Sequence, residues 1–469
     1  MSRSKRVVVI GADAAGMSAA HQALRGAGKR GIALDVIVLE STNHTSYSAC
    51  GLPYWIAGDV DDPQRLLARS ADQHRGMGVD LRMGVTATHL DLTRRNVDYV
   101  HGDGAPESVP FDELVLATGA PAVIPPWARN PDGSLIQGMH PVKNLDDGAT
   151  WLGLIGIEDL LGSSSRRRQA IVVGGGYIGL EMAEAMIRRG IETTLITRSE
   201  VMSCLDTDMS DRISQAMKEA GIEMLTDTQV AKVVTGPAGE VREIATTDGR
   251  VRTADMVVLG IGVSPASELG AKAGLPVGAS NGYLPDPAGR ISDGIWAAGD
   301  CCEAIHRLTG DYAFMPLGTH ANKQGRVVGE NLSGGDARFD GVLGTAITRF
   351  VTDTHHVEIA RTGLSTSEAV SAGLAVRSLV TEGRTASGYM PEASPMATKV
   401  LAEEGTRRLL GMQIVGGRGA GKRIDTAAAA LWGGMTVDDL AGMDLAYAPP
   451  FATVWEAVQL AARRLADRM

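Results

Sequence analysis

Two stretches of the chain carry the same hydrophobic signature. Arg6–Ile10 and Ala170–Val173 are short, nearly continuous apolar runs rich in β-branched residues, as expected of strands buried on both faces. Each run breaks into a glycine-rich turn, a helix-length segment and a second strand-like run, Val36–Leu39 in the first case and Thr193–Ile196 in the second. The pattern predicts two strand–turn–helix–strand units, about 160 residues apart. Three more apolar runs end in glycine turns, at Leu114–Ala120, Val257–Gly262 and Gly294–Asp300. From Gly341 onward the apolar residues alternate instead, at Thr345–Val351 and Val357–Ala360, which predicts antiparallel strands. Helices are expected over Asp425–Trp432 and Trp455–Leu465.

The expected fold class is therefore α/β, with two Rossmann-like nucleotide-binding domains and a C-terminal α+β domain. We expect residues 1–150 and 275–338 to form the first nucleotide domain, 151–274 the second, and 339–469 the third. In the first turn, Gly11-Ala12-Asp13-Ala14-Ala15-Gly16, small residues let the backbone approach a pyrophosphate at a helix N-terminus, although Asp13 stands where the full fingerprint has glycine. Glu40 closes the second strand, where a carboxylate accepts ribose hydroxyls. The second turn, Gly174-Gly175-Gly176-Tyr177-Ile178-Gly179, fits the fingerprint completely. At the end of its second strand Thr197 and Arg198 replace the acid, a pairing suited to a 2′-phosphate and hence to NADPH over NADH. We assign FAD to Gly11, Ala15, Gly16, Glu40, Ser41, Val85, Ala117, Thr118, Gly119 and Asp300, the last of which can hold a ribityl chain. The nicotinamide nucleotide is assigned to Gly174, Gly176, Tyr177, Ile178, Gly179, Glu181, Arg198 and Gly262.

Composition narrows the picture. At 469 residues the chain exceeds one hydrophobic core. Its net charge of −10 argues against nucleic acid or an anionic membrane as partner. Four cysteines, Cys50, Cys204, Cys301 and Cys302, are too few for a disulfide framework or a zinc site, so no metal is expected and a reducing cytoplasm is. The basic start, Met1–Arg6, precedes an apolar run that reads better as a buried strand than as a signal peptide.

The stretch Ser46-Tyr47-Ser48-Ala49-Cys50-Gly51-Leu52-Pro53-Tyr54 carries the candidate chemistry. Cys50 is expected at the start of a short helix with Pro53 in its first turn, where the helix dipole favours the thiolate. A thiolate is the form that attacks sulfur–sulfur bonds.

Together these motifs resemble the pyridine nucleotide–disulfide oxidoreductases over essentially the whole chain. Within them, S-Y-S-A-C-G-L-P-Y is similar to the single-cysteine branch of coenzyme A-disulfide reductases, persulfide reductases, NADH oxidases and NADH peroxidases. The two-cysteine branch needs a second cysteine where this chain has Trp55, and a C-terminal histidine where this chain has none after His356. The oxidases and peroxidases carry a histidine in the first turn, at Ala14 here. The resemblance thus implies an FAD-dependent, NADPH-preferring homodimer that reduces a small-molecule disulfide, coenzyme A disulfide or a related persulfide, through a Cys50 mixed disulfide. It further implies that Gln22, Arg25 and Ser46 bind substrate. Tyr447 would reach the partner subunit's Cys50 as proton donor, with Tyr389 as a second tyrosine. Ala49 departs from the asparagine found beside the cysteine in many such reductases. Two alternatives remain open: an oxidase or peroxidase cycling Cys50 through sulfenic acid, and a low-turnover redox-sensing flavoprotein.

Overall fold

The structure, a computed structural model, describes residues 4–161 and 168–469. The opening residues Met1–Arg3 lie outside that range. The chain divides into two compact units, Met1–Gly51 with Asp62–Pro121 and Val263–Val342, and Leu52–Asp61 with Ala122–Gly262 and Leu343–Met469.

The first unit is built on a six-stranded sheet in the order 290–292, 295–297, 113–116, 5–10, 34–40, 80–83. All neighbours run parallel except the edge strand Arg290–Ser292. Val7, Val8 and Val9 have no solvent exposure. Val7 and Val9 join one apolar core and Val8 and Ile10 another, because successive side chains leave opposite faces of the strand. This is why the run reads as continuously apolar. Helices Ala14–Arg30 and Gly318–Leu332 cover one face at very close range. A Cβ on Gly325 would stand 2.2 Å from the Ala15 carbonyl oxygen, and one on Gly329 2.3 Å from that of Ala19. Only glycine permits that approach. A three-stranded antiparallel sheet, 85–91, 96–101 and 107–110, and a two-stranded one, 304–305 with 312–313, belong to the same unit.

The second unit repeats the arrangement with a parallel sheet ordered 223–225, 192–196, 169–173, 256–259, 139–140. In both sheets the strand that leads into the glycine turn, 5–10 or 169–173, is internal and the next strands of its unit pair on opposite sides of it, so a crevice opens where that strand ends. The unit also holds a three-stranded antiparallel sheet, 230–235, 241–246 and 251–253, and a five-stranded antiparallel sheet, 346–351, 356–363, 409–416, 395–403 and 376–384, with helices that include Ile424–Trp432 and Ala457–Ala466. The α/β class with an antiparallel C-terminal part is as the alternation predicts. No helix among the described residues is long and apolar enough to cross a membrane.

Candidate active site

The first glycine turn sits at the C-terminal end of its central strand. Gly11 has φ 104° in the left-handed region, and a Cβ there would lie 2.1 Å from the Ala117 carbonyl oxygen. A Cβ on Gly16 would lie 1.9 Å from the oxygen of Gly11. Both glycines are therefore required to bring the turn, the helix and the Ala117–Gly119 segment together. Glu40 is nearly buried, and its carboxylate accepts from the Ala12 and Thr42 amides, each at 2.8 Å. It shapes the turn from behind and keeps acceptor capacity for hydroxyls on its front. Thr118 donates its hydroxyl to the Ala266 carbonyl, Gly119 has φ 71°, and Asp300 follows Gly299 at φ 90°. Ser41 is exposed and the Val85 side chain is buried in the core. The residues fit a dinucleotide at Gly11 and Gly16, where no side chain has room, while Asp13 keeps its carboxylate at the position of the fingerprint's second glycine.

Beside this turn lies a cleft of about 420 Å³. Its walls include Gln22, Arg25 and Ser46, the three residues assigned to substrate from the sequence. Arg69 and Arg326 line it as well and were not foreseen. The three arginine side chains are exposed, and none forms an ion pair among the described residues. Gln22 donates to Glu330 at 2.7 Å, which fixes its amide. With three arginines against the one carboxylate of Asp13, the lining is positively charged on balance and favours anions.

One wall of the cleft is the loop that leads to Cys50. The Ser46 carbonyl accepts from the Ala68 amide at 2.7 Å, and the Ser48 amide donates to the Leu66 carbonyl at 2.8 Å. Ser46 itself has φ 48°, rare for a residue with a side chain. His74, with no solvent exposure, holds the Ser46 hydroxyl at 2.9 Å through Nε2 and meets His21 Nε2 at 2.7 Å through Nδ1. Burial, with His21 and Arg69 nearby, lowers the His74 pKa to about 4, so its ring is neutral at physiological pH. Cys50 is exposed and takes part in no disulfide. It lies in a single 3₁₀ turn, Ala49–Gly51, and the α-helix begins at Leu52, later than the sequence suggests and only six residues long. The dipole of so short a helix is a minor aid to the thiolate.

The second turn reproduces the first. Gly174 has φ 115°, a Cβ on it would lie 2.1 Å from the Gly260 oxygen, and a Cβ on Gly179 would lie 1.9 Å from the Gly174 oxygen. Gly176 caps the helix Tyr177–Arg188, Gly262 has φ 105°, and Arg198 is exposed beyond the buried Thr197. Ile178 is half-buried in the first turn of that helix. Tyr177 is tucked inward with its hydroxyl 3.9 Å from the Cys204 sulfur, and burial raises its pKa. Glu181, one turn on, is raised to about 7 by burial, and Thr348 donates to it at 2.7 Å. Tyr54, with the Arg349 guanidinium 5.0 Å above its ring, is raised to about 12, again chiefly by burial.

In the C-terminal part, Tyr389 and Tyr447 are exposed, alongside exposed Phe451 and Val454. Arg423 binds the loops that carry both tyrosines, donating to the carbonyls of Thr385 and Phe451 and pairing with Glu456. Cys301 and Cys302 are buried, with the Cys301 sulfur 3.5 Å from the Leu116 carbonyl oxygen, and act as core residues. No cluster of three or more metal-ligating side chains occurs among the described residues.

Comparison with known proteins gives a consistent result. Residues 5–325 match the pyridine nucleotide-disulphide oxidoreductase model, and 352–458 match the dimerisation domain of that family. The NAD(P)H coenzyme A polysulfide/persulfide reductase of Pyrococcus horikoshii is 33% identical over 466 residues, covering 98% of each chain. Among solved structures, an NAD-dependent persulfide reductase from A. fulgidus aligns with a TM-score of 0.90 at 32% identity, covering 99% of this chain and 83% of the other. A water-forming NADH oxidase from Lactobacillus brevis, bound to NADH, aligns at 0.89 with 25% identity and 99% coverage of both.

Proposed function

The chain belongs to the pyridine nucleotide-disulphide oxidoreductases, FAD- and pyridine nucleotide-dependent enzymes, and from that premise we propose that it reduces a low-molecular-weight disulfide or persulfide of a phosphate-bearing thiol, with coenzyme A as the type. The observation that carries this reading is the arginine-lined cleft whose wall, through Ser46 and Tyr47, is the same loop that presents Cys50. Phosphates held by Arg25, Arg69 and Arg326 would anchor the substrate while its sulfur reaches Cys50. The P. horikoshii relative, whose name includes coenzyme A, supports the same choice.

Cys50 acts as thiolate on the substrate RS–SR, forming Cys50–S–SR and expelling RS⁻, which takes up a proton. FAD, when bound by the first glycine turn, supplies the two-electron path from reduced nicotinamide to that sulfur. The sum is NAD(P)H + H⁺ + RSSR → NAD(P)⁺ + 2 RSH. Glu40, Thr118 and Asp300 orient the flavin nucleotide, and Arg198 favours NADPH through its 2′-phosphate. Tyr177, whose hydroxyl lies against Cys204, would move aside to admit a nicotinamide ring. In a homodimer, the partner subunit's Tyr447 hydrogen-bonds the Cys50 sulfur and supplies a proton, with Tyr389 in support.

Mass spectrometry of protein purified without reductant tests the reading. A thiol adduct on Cys50, together with NADPH oxidation stimulated by coenzyme A disulfide, is expected. A Cys50→Ala enzyme with normal disulfide turnover would end it. The likeness to the L. brevis oxidase keeps a second reading, Cys50 sulfenic acid chemistry with oxygen, which predicts rapid NADPH oxidation that disulfides do not stimulate.

A further inference from the structure

Within the cleft, one residue serves neither the glycine turn nor the thiol. His21 lines the wall next to Arg25, one turn along the same helix, with Arg69 and Arg326 on other segments. Its Nε2 is committed to His74, which leaves Nδ1 as the ring nitrogen available to a ligand. We propose that His21 is an anion-binding residue that takes up a proton at Nδ1 when a dianionic group, such as a phosphate monoester, enters the cleft. The proposal rests on the reading of the cleft as a site for a phosphate-bearing thiol and names the device by which that site adjusts its charge.

The hydrogen-bond chain is built for this. A neutral imidazole has one donor and one acceptor nitrogen, whereas imidazolium has two donors. Protonated His21 must therefore donate from Nε2, and the His74 Nδ1 lone pair receives it. His74 then carries its proton on Nε2 and donates to Ser46 Oγ. Every bond in the chain is satisfied with the charge on His21, and the buried neutral ring behind it makes the bond charge-assisted. Protonating His74 instead would put two donors against each other unless His21 changed tautomer, and would place a charge where no water reaches.

In the empty cleft the balance is reversed. Partial burial, Arg69 and Arg25 all hold the His21 pKa below its usual value. The charged and titratable groups that share the cleft or contact it are Arg25 and His74, Arg69, Arg326, Tyr47 and the single carboxylate Asp13, outnumbered three to one by the arginines. A dianion neutralises the arginine repulsion and adds an attraction, so binding and protonation reinforce each other.

Inorganic sulfate is the probe, because it stays a dianion over the range titrated and every proton counted belongs to the protein. Histidine-selective ¹⁵N NMR of the FAD-loaded full chain, titrated with and without sulfate at matched ionic strength, should show the His21 midpoint raised by about one unit, equivalent to about tenfold tighter sulfate binding by the protonated form. His74 should stay neutral throughout. His21→Asn, or His21→Gln should the first fail to fold, should still bind sulfate but without that pH dependence. Sulfate bound equally well on both sides of the His21 titration, or pH dependence retained in the variant, would overturn the proposal while leaving the cleft as an anion site. Failure of sulfate to bind at any pH would overturn the anion reading of the cleft, and this proposal with it.

Discussion

Thr348 donates its hydroxyl to Glu181 across 2.7 Å, so the nucleotide helix Tyr177–Arg188 and the antiparallel sheet are joined at a buried carboxyl. Val351 extends the contact one turn on, its amide donating to Glu184 at 2.8 Å. The helix that presents Tyr177 is thus positioned by the C-terminal strand as well as by its own sheet.

Glu181 gives a pH-dependent stability of definite sign. Its folded pKa of about 7 lies above the ordinary 4.5, mainly through burial, so the folded state holds the proton more tightly than the unfolded chain. That stabilisation is complete below 4.5 and is lost as pH rises through about 7. Glu181→Gln keeps an acceptor for Thr348 and does not titrate. Without nucleotide, its thermal stability should gain on that of wild type as pH rises, by at most roughly 3 kcal/mol, and the gain should level off once Glu181 is ionised. Denaturation scans at stepped pH measure the difference.

Cys50→Ser should lower kcat for disulfide reduction at least about a thousandfold while leaving flavin content unchanged. Stopped-flow absorbance should still show nicotinamide-dependent bleaching of the flavin.

Replacing both Arg69 and Arg326 with alanine should raise KM for coenzyme A disulfide by about 10–100-fold, since in the proposed site each guanidinium would make a charge-assisted contact with phosphate. A small disulfide without phosphate, such as cystamine, should be unaffected. Steady-state kinetics on the two substrates separate anchoring from sulfur chemistry.

Arg198→Ala should raise KM for NADPH about tenfold and leave NADH unchanged, the loss of roughly one phosphate contact. Equal effects on both nucleotides would remove the assignment.

Gly325→Ala puts a methyl group 2.2 Å from a backbone oxygen on the facing helix, and neither helix can yield locally. We expect a loss of about 1–3 kcal/mol in chemical denaturation and weaker flavin retention, because the displaced helix begins at the first glycine turn.

The fold was legible because period and punctuation agree. Val7–Ile10 read as doubly buried and are, while the alternation at 345–351 read as antiparallel and the strand is Ala346–Val351. The glycine turns were legible for a related reason, since backbone proximity admits only one residue type. The cleft was legible only in part. Gln22 and Arg25 came through resemblance, and Ser18 and His21 share their stripe at helical spacing on a helix otherwise rich in alanine and glycine, a signal that could have been used. Arg69 and Arg326 come from segments far apart in sequence, and no local pattern brings them together. Nor does residue type announce that Ser46 adopts a left-handed conformation or that His74 is the side chain bonded to it.

The central sheet of the first unit also sets a timetable for synthesis. Glu113–Leu116 lies between Lys5–Ile10 and Ile295–Ala297, so one of its edges stays unpaired until the later strand leaves the ribosome. At about 5–20 residues per second that interval is on the order of ten to forty seconds. Through it, the apolar faces of Leu114 and Leu116 lack part of the core that finally buries them. Newly made chains should therefore yield soluble protein most readily where translation is fast or chaperones are abundant.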